Sequence, residues 1–160
     1  MATLIIIRHG EAVAGPVDRE RALSPPGREQ VTRLAEELLR RDVEIDEIRH
    51  SGLVRARETA EIVAAGVRGA PRIVEGAGID SSDDPEIFAA GLEAWPGTLA
   101  IVSHMPFVRR LSALLTDGDP DGTGLAFPAA SAACLEPASD GRWSVAWVEG
   151  ASRTPPDARS

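Results

Sequence analysis

Thr3-Leu4-Ile5-Ile6-Ile7-Arg8-His9-Gly10 is the stretch that decides the fold. Its uncharged β-branched run, Thr3 to Ile7, suits a strand buried on both faces of a sheet rather than one alternating between core and water. Such a strand needs helices above and below it, and the sequence supplies them. Ser24-Pro25-Pro26-Gly27-Arg28-Glu29 opens a helix with a serine N-cap and proline in the first turn. Val31, Leu34, Ala35, Leu38 and Leu39 then recur at helical spacing up to Arg41. Downstream, Asp46 to His50 reads as a short strand, Leu53 to Ala65 as an amphipathic helix broken by Gly66, and Arg72 to Glu75 as another strand. Gly76 to Pro85 reads as loop, Pro85 to Ala94 as a modest helix and Pro96-Gly97 as a turn. Thr98-Leu-Ala-Ile-Val-Ser103 repeats the doubly buried pattern, and a helix through Val108, Leu111, Leu114 and Leu115 follows it. Ser131 to Leu135 and Trp143 to Val148 close the order as a strand pair around a Ser139-Asp140-Gly141 turn.

Strands that alternate with helices predict an α/β fold, a three-layer α/β/α sandwich with a mostly parallel central sheet. A single domain is expected over residues 1–150, followed by a disordered tail over 151–160. No pattern sorts Trp95, Phe107, Phe127 and Trp147 between core and rim.

The 160 residues carry 17 basic and 25 acidic side chains, a formal charge of −8, and every basic residue is arginine. Without lysine there is no phosphate-loop lysine, no Schiff base and no lysine general base. The single cysteine, Cys134, excludes an internal disulfide, and with only three histidines beside it a cysteine-based zinc site is also unsupported. The first arginine after it is Arg142, too distant for the short Cys-to-Arg loop of cysteine phosphatases. The acidic balance argues against nucleic acid or anionic membrane as partner. Leu4 to Ile7 is too short to span a bilayer and lacks the basic flank of a secretion signal, so the cytoplasm is the expected location.

In parallel α/β sheets, ligands gather beyond the carboxyl ends of strands. His9 follows the first doubly buried strand and His104 follows the Thr98–Ser103 run directly. If the sheet brings those two ends together, Arg8, His9 and His104 meet Arg55, at the start of the second helix, and Arg21, in the loop before the first. Guanidinium forks and imidazoles converging on one point form an oxyanion cage, because the planar donors of arginine match phosphoryl oxygens in pairs. Within such a cage a neutral imidazole can attack phosphorus while the arginines stabilise the charge on the transferring group. His50 reads as a strand-end surface or packing residue instead.

Four motifs now stand in order: Ile6-Ile-Arg-His-Gly-Glu11, Arg21-Ala-Leu-Ser-Pro-Pro-Gly27, Ser51-Gly-Leu-Val-Arg55-Ala-Arg-Glu-Thr59 and Val102-Ser-His-Met-Pro106. On these motifs, from Leu4 to about Val148, the chain resembles the histidine phosphatase superfamily, also called phosphoglycerate mutase-like. Within it, the chain is most similar to the small bacterial SixA-type phosphohistidine phosphatases. The resemblance implies the phosphoglycerate mutase-like fold and makes His9 the nucleophile that is transiently phosphorylated. It implies that Arg8, Arg55 and His104 hold the phosphoryl oxygens, with Arg21 as an additional substrate contact. No cofactor or metal is expected, since guanidinium charge takes the place of magnesium.

Many members of the superfamily carry a carboxylate proton donor before the later strand. Here that region reads Gly76-Ala-Gly-Ile-Asp-Ser-Ser-Asp-Asp-Pro85, which makes Asp80 the first candidate donor and Asp83 the second; capping a loop is an equal reading of both. Glu11 also lies near the site in sequence. An imidazole leaving group demands less of a dedicated acid than an alkoxide does. Only about 40 residues separate Thr59 from the strand near Leu99, which leaves little material for a lid. The expectation is therefore a monomeric phosphatase acting through a phosphohistidine intermediate on a phosphorylated protein of the histidine phosphotransfer or phosphocarrier type. Two alternatives stay open: a broad phosphomonoesterase for small phosphoesters, and a catalytically idle phosphate-binding module.

Overall fold

A computed structural model describes residues 2–92 and 94–153. The central sheet has six strands: β1 (Thr3–Arg8), β2 (Glu47–His50), β3 (Arg72–Glu75), β4 (Thr98–Ser103), β6 (Ala132–Pro137) and β7 (Trp143–Glu149), in the order β3-β2-β4-β1-β6-β7. The pairs β2/β3, β2/β4 and β1/β4 are parallel, whereas β6 lies antiparallel to both β1 and β7. The mostly parallel sheet read from the chain is the one found, extended on one side by an antiparallel pair.

The isoleucine run explains the layering. Leu4 and Ile6 point into one core with Leu99, Ile101, Phe107, Val108 and Leu111, while Ile5 and Ile7 point into a second with Val31, Leu34, Leu38, Ile48 and Val63. All four β1 side chains are wholly buried. Helices α1 (Pro25–Arg40) and α2 (Val54–Gly66) cover the second face, and α3 (Pro85–Ala90) and α4 (Phe107–Asp117) the first. This is a three-layer α/β/α sandwich, and removing either helical layer would expose a complete hydrophobic face. Phe107 and Phe127 prove to be core side chains, while Trp95 and Trp147 pack at the core margins.

Two local expectations change. Helix α3 stops at Ala90 rather than Ala94, because Gly91 carries a helix-breaking entropy cost at the point where the chain must turn back. The described start of the expected tail, residues 151–153, is buried or paired. Ala151 is buried, and β8 (Ser152–Arg153) pairs antiparallel with the short β5 (Leu125–Ala126), so backbone pairing orders a stretch whose side chains gave no strand signal. Residues 154–160 of that expected tail lie outside the described residues.

Candidate active site

The register of β1 on β4 creates the site. Arg8 pairs with Ser103, so the next residues of both strands, His9 and His104, emerge side by side beyond the carboxyl edge, with ring centroids 4.9 Å apart and planes tilted by 52°. The His9 N–H donates to the Ser103 carbonyl at 3.3 Å, and the His9 carbonyl accepts from the Ala130 N–H at 3.0 Å. After His9 the chain presses against the start of α1. A Cβ on Gly10 would lie 2.7 Å from Val31 Cγ2 and 2.9 Å from the Gly27 carbonyl oxygen, and one on Gly27 would overlap the Glu11 carbonyl. Glycine at both positions lets backbone meet backbone, which is why Arg-His-Gly and Pro-Pro-Gly belong to one structural unit. Ser24 Oγ caps α1 by accepting from the Gly27 N–H at 3.0 Å. Thr59 Oγ1 accepts from the Gly10 N–H at 3.2 Å and donates to the Arg55 carbonyl at 2.7 Å, tying the loop after β1 to the first turns of α2.

A cleft of about 500 Å³ opens over these residues, with Arg8, Arg21, Arg55, His9 and His104 on its walls and Glu11 as the carboxylate among its lining residues. His9 is neutral and oriented. Its Nδ1 lies 2.7 Å from the Gly10 carbonyl oxygen, which can only accept, so Nδ1 carries the proton and Nε2 keeps its lone pair. Burial drives the His9 pKa down to about 4; the charges of Arg55, Arg8 and Arg21 push the same way, against the Gly10 hydrogen bond. His104 is driven to about 3, first by burial and then by His9, Arg55 and Arg8. Its Nε2 shares a hydrogen bond with Ser51 Oγ at 2.5 Å.

The arginines are held by different means. Arg8 Nη1 donates to the Phe127 carbonyl at 2.7 Å. Arg55, buried at the start of α2, donates from Nη1 to the Asp18 carbonyl at 3.0 Å and from Nη2 to the Asp18 carboxylate at 3.3 Å. Arg21 donates to the other carboxylate oxygen of Asp18 at 3.0 Å and, through Nε, to the Val13 carbonyl at 2.8 Å. Two buried nitrogens on cleft residues, Arg8 Nε and His104 Nδ1, have no protein partner. A site with several cationic forks and Glu11 as the carboxylate among its lining residues suits an oxyanion with three acceptor oxygens.

All five cage residues expected from the sequence, Arg8, His9, Arg21, Arg55 and His104, line this one cleft. Asp80 and Asp83 do not join them: the Asp83 carboxylate accepts from the Asp80 N–H at 2.8 Å, and Ser81 between them faces the cleft. The Asp83 carboxylate thus closes its own loop, as the loop-capping alternative expects. His50 is buried, its Nδ1 accepting from the Gly52 N–H at 3.1 Å, as a packing residue would be. Cys134 is buried and its thiol pushed up to about 12 by desolvation, so it is unreactive. Sequence reasoning overlooked two supports, Ser51 under His104 and Asp18 under Arg55. Ser51 opened a quoted motif, and Asp18 stands three residues before Arg21, but neither position signals its partner.

Among the described residues, no group of three or more His, Cys, Asp or Glu side chains is placed to hold a metal ion. No helix among them is long and apolar enough to cross a membrane.

The family model of the histidine phosphatase superfamily (branch 1) matches residues 4–77, which contain His9, Arg21 and Arg55. No protein of curated function matches the chain in sequence. Among solved structures, the chain is similar to the protein histidine phosphatase SixA complexed with tungstate, with a TM-score of 0.81, 25% identity and coverage of 92% of this chain and 96% of that one. It also matches a putative phosphohistidine phosphatase SixA from Agrobacterium tumefaciens (TM-score 0.75, 20% identity, 92% and 96% covered). A mycobacterial glucosyl-3-phosphoglycerate phosphatase shares the fold (TM-score 0.64, 18% identity, 90% and 96% covered).

Proposed function

We propose that this chain, which matches the histidine phosphatase superfamily model over residues 4–77, removes phosphate from phosphohistidine on a protein, through a phosphorylated His9. The observation that carries this reading is the state of His9: neutral, with Nδ1–H fixed by Gly10, Nε2 without a protein partner, and three arginines around it. Nε2 attacks phosphorus as the P–N bond to the substrate imidazole breaks; the protonated phosphohistidine substrate departs as neutral imidazole. Arg8, Arg55 and His104 hold the equatorial oxygens, and Arg21 stands at the entrance. Water then attacks the phosphoryl group on Nε2, its proton passing to phosphate and solvent, and His9 recovers its lone pair. Guanidinium charge provides the stabilisation a metal ion gives elsewhere, so turnover proceeds without one.

The shortage of acid at the site supports the substrate class. Glu11 is the carboxylate among the lining residues, and it is exposed. A phosphoramidate needs little more, because its leaving nitrogen arrives protonated, whereas an alkyl phosphate leaves as an alkoxide and needs a positioned donor. Glu11 is also the observation that favours a second reading, a phosphomonoesterase for small esters in which Glu11 donates that proton. A substrate panel separates the two. The expected result is a far higher kcat/KM on a phosphohistidine protein than on alkyl monoesters, with Glu11→Gln nearly silent on the former. The reverse preference, with activity lost in Glu11→Gln, overturns the phosphohistidine reading.

A further inference from the structure

The loop between β1 and α1 carries an apolar segment that neither the core nor the phosphoryl site uses. Val13-Ala14-Gly15-Pro16-Val17 has no side chain able to ionise or hydrogen-bond, and all five residues are exposed. Val13 is 41% and Val17 49% exposed, so this one segment holds two of the five large exposed apolar side chains among the described residues. Scattered single exposures need no explanation; a grouped pair beside a cationic cleft does.

The segment is not loose. Ala12 and Arg21, which flank it, both line the cleft, and Ala12 bridges to Leu23. The Val13 N–H donates to the Ala22 carbonyl at 2.9 Å, and Arg21 Nε donates to the Val13 carbonyl at 2.8 Å. At the far end Asp18 is held by Arg21 and Arg55. Arg21 and Arg55, which line the cleft, therefore also hold the two ends of the apolar segment beside it, and Pro16 reduces the backbone freedom left to lose on contact.

We propose that Val13–Val17 is a docking lip for the macromolecular substrate, a folded protein domain that presents its phosphorylated side chain from an apolar surface. The occupant follows from the neighbouring charge. An anionic phosphoryl group must enter the arginine cleft, and what carries it then rests on the lip. A small polar phosphoester is contained in the cleft and gains nothing from valines outside it. This rests on the phosphohistidine reading above.

The test compares Val13→Ser/Val17→Ser with wild type on two substrates, a small phosphocarrier protein phosphorylated on histidine and free phosphohistidine. The expected result is a fall of about tenfold in kcat/KM on the protein, through KM, with less than about twofold change on free phosphohistidine. Equal losses on both substrates, or none on the protein, overturn the lip and leave the phosphohistidine reading standing. Wild type that hydrolyses small phosphoesters but not the phosphoprotein overturns both. Self-association of wild type that disappears in the variant assigns the lip to a second copy and also overturns it.

Discussion

Arg55 grips Asp18 twice, through Nη1 to the backbone carbonyl at 3.0 Å and through Nη2 to the carboxylate at 3.3 Å, so the loop before α1 and the first turn of α2 share one guanidinium. The carboxylate also receives Arg21, and hydrogen bonds from both arginines hold it below the usual carboxylate range. An exposed carboxylate on two cage arginines competes with an incoming anion. Asp18→Asn keeps the shape and removes the charge, so inorganic phosphate should inhibit about threefold more strongly. Product-inhibition constants measure this; unchanged or weaker inhibition means that Asp18 does not oppose anion binding.

Ser51 holds the His104 ring at 2.5 Å. In Ser51→Ala the imidazole keeps its burial but loses its anchor, and kcat should drop about tenfold with a small change in KM. Ser51→Thr, which retains the hydroxyl, should recover part of the loss. Steady-state kinetics of the two variants distinguish an orienting role from simple packing, in which threonine would be the worse substitution.

The depressed histidines give a pH signature. His9 must be neutral to attack, and its pKa lies near 4 rather than 6.5, so kcat/KM corrected for substrate ionisation should stay level from pH 8 to 5 and fall only toward 4. Stability follows the same groups. Between about 4 and 6.5 the unfolded chain binds more protons at His9 than the folded one does, so stability rises with pH across that window and is lost as pH falls through it. His104, near 3, adds to the effect in the same direction. Denaturant midpoints from pH 4 to 7 read the second claim, and a kinetic midpoint near 6.5 would contradict the first.

Arg8→Lys keeps the positive charge but gives up the planar fork and the Nη1 contact to the Phe127 carbonyl. A loss of about a hundredfold in kcat is expected despite the nominal conservatism. Full activity in this variant would make Arg8 a packing residue.

The parts legible in the sequence are those where one residue type has one physical use. A run of three isoleucines between Leu4 and Arg8 leaves little but a doubly buried strand, and the Ser24 cap with Pro25 fixes where α1 begins. The histidines after two such strands locate the cleft, because parallel strands deliver their next residues to one edge. What stayed hidden depends on partners far apart in sequence. Ser51 meets His104 across 53 positions and Asp18 meets Arg55 across 37, so neither contact leaves a local pattern. The β5–β8 ribbon rests on backbone hydrogen bonds of two residues each, too short for any periodicity. Asp80 and Asp83 were ambiguous for the opposite reason: an aspartate that closes a turn and one that gives a proton look alike until their neighbours are placed.

The most direct measurement is to mix the protein with a phosphohistidine-bearing protein, quench within milliseconds without acid, and locate the phosphoryl group on the enzyme by mass spectrometry. The expected result is phosphate on His9 during turnover, absent in His9→Ala together with the loss of dephosphorylation. Turnover that persists in His9→Ala, or a phosphoryl group trapped on a different residue, would contradict a mechanism in which His9 is the nucleophile.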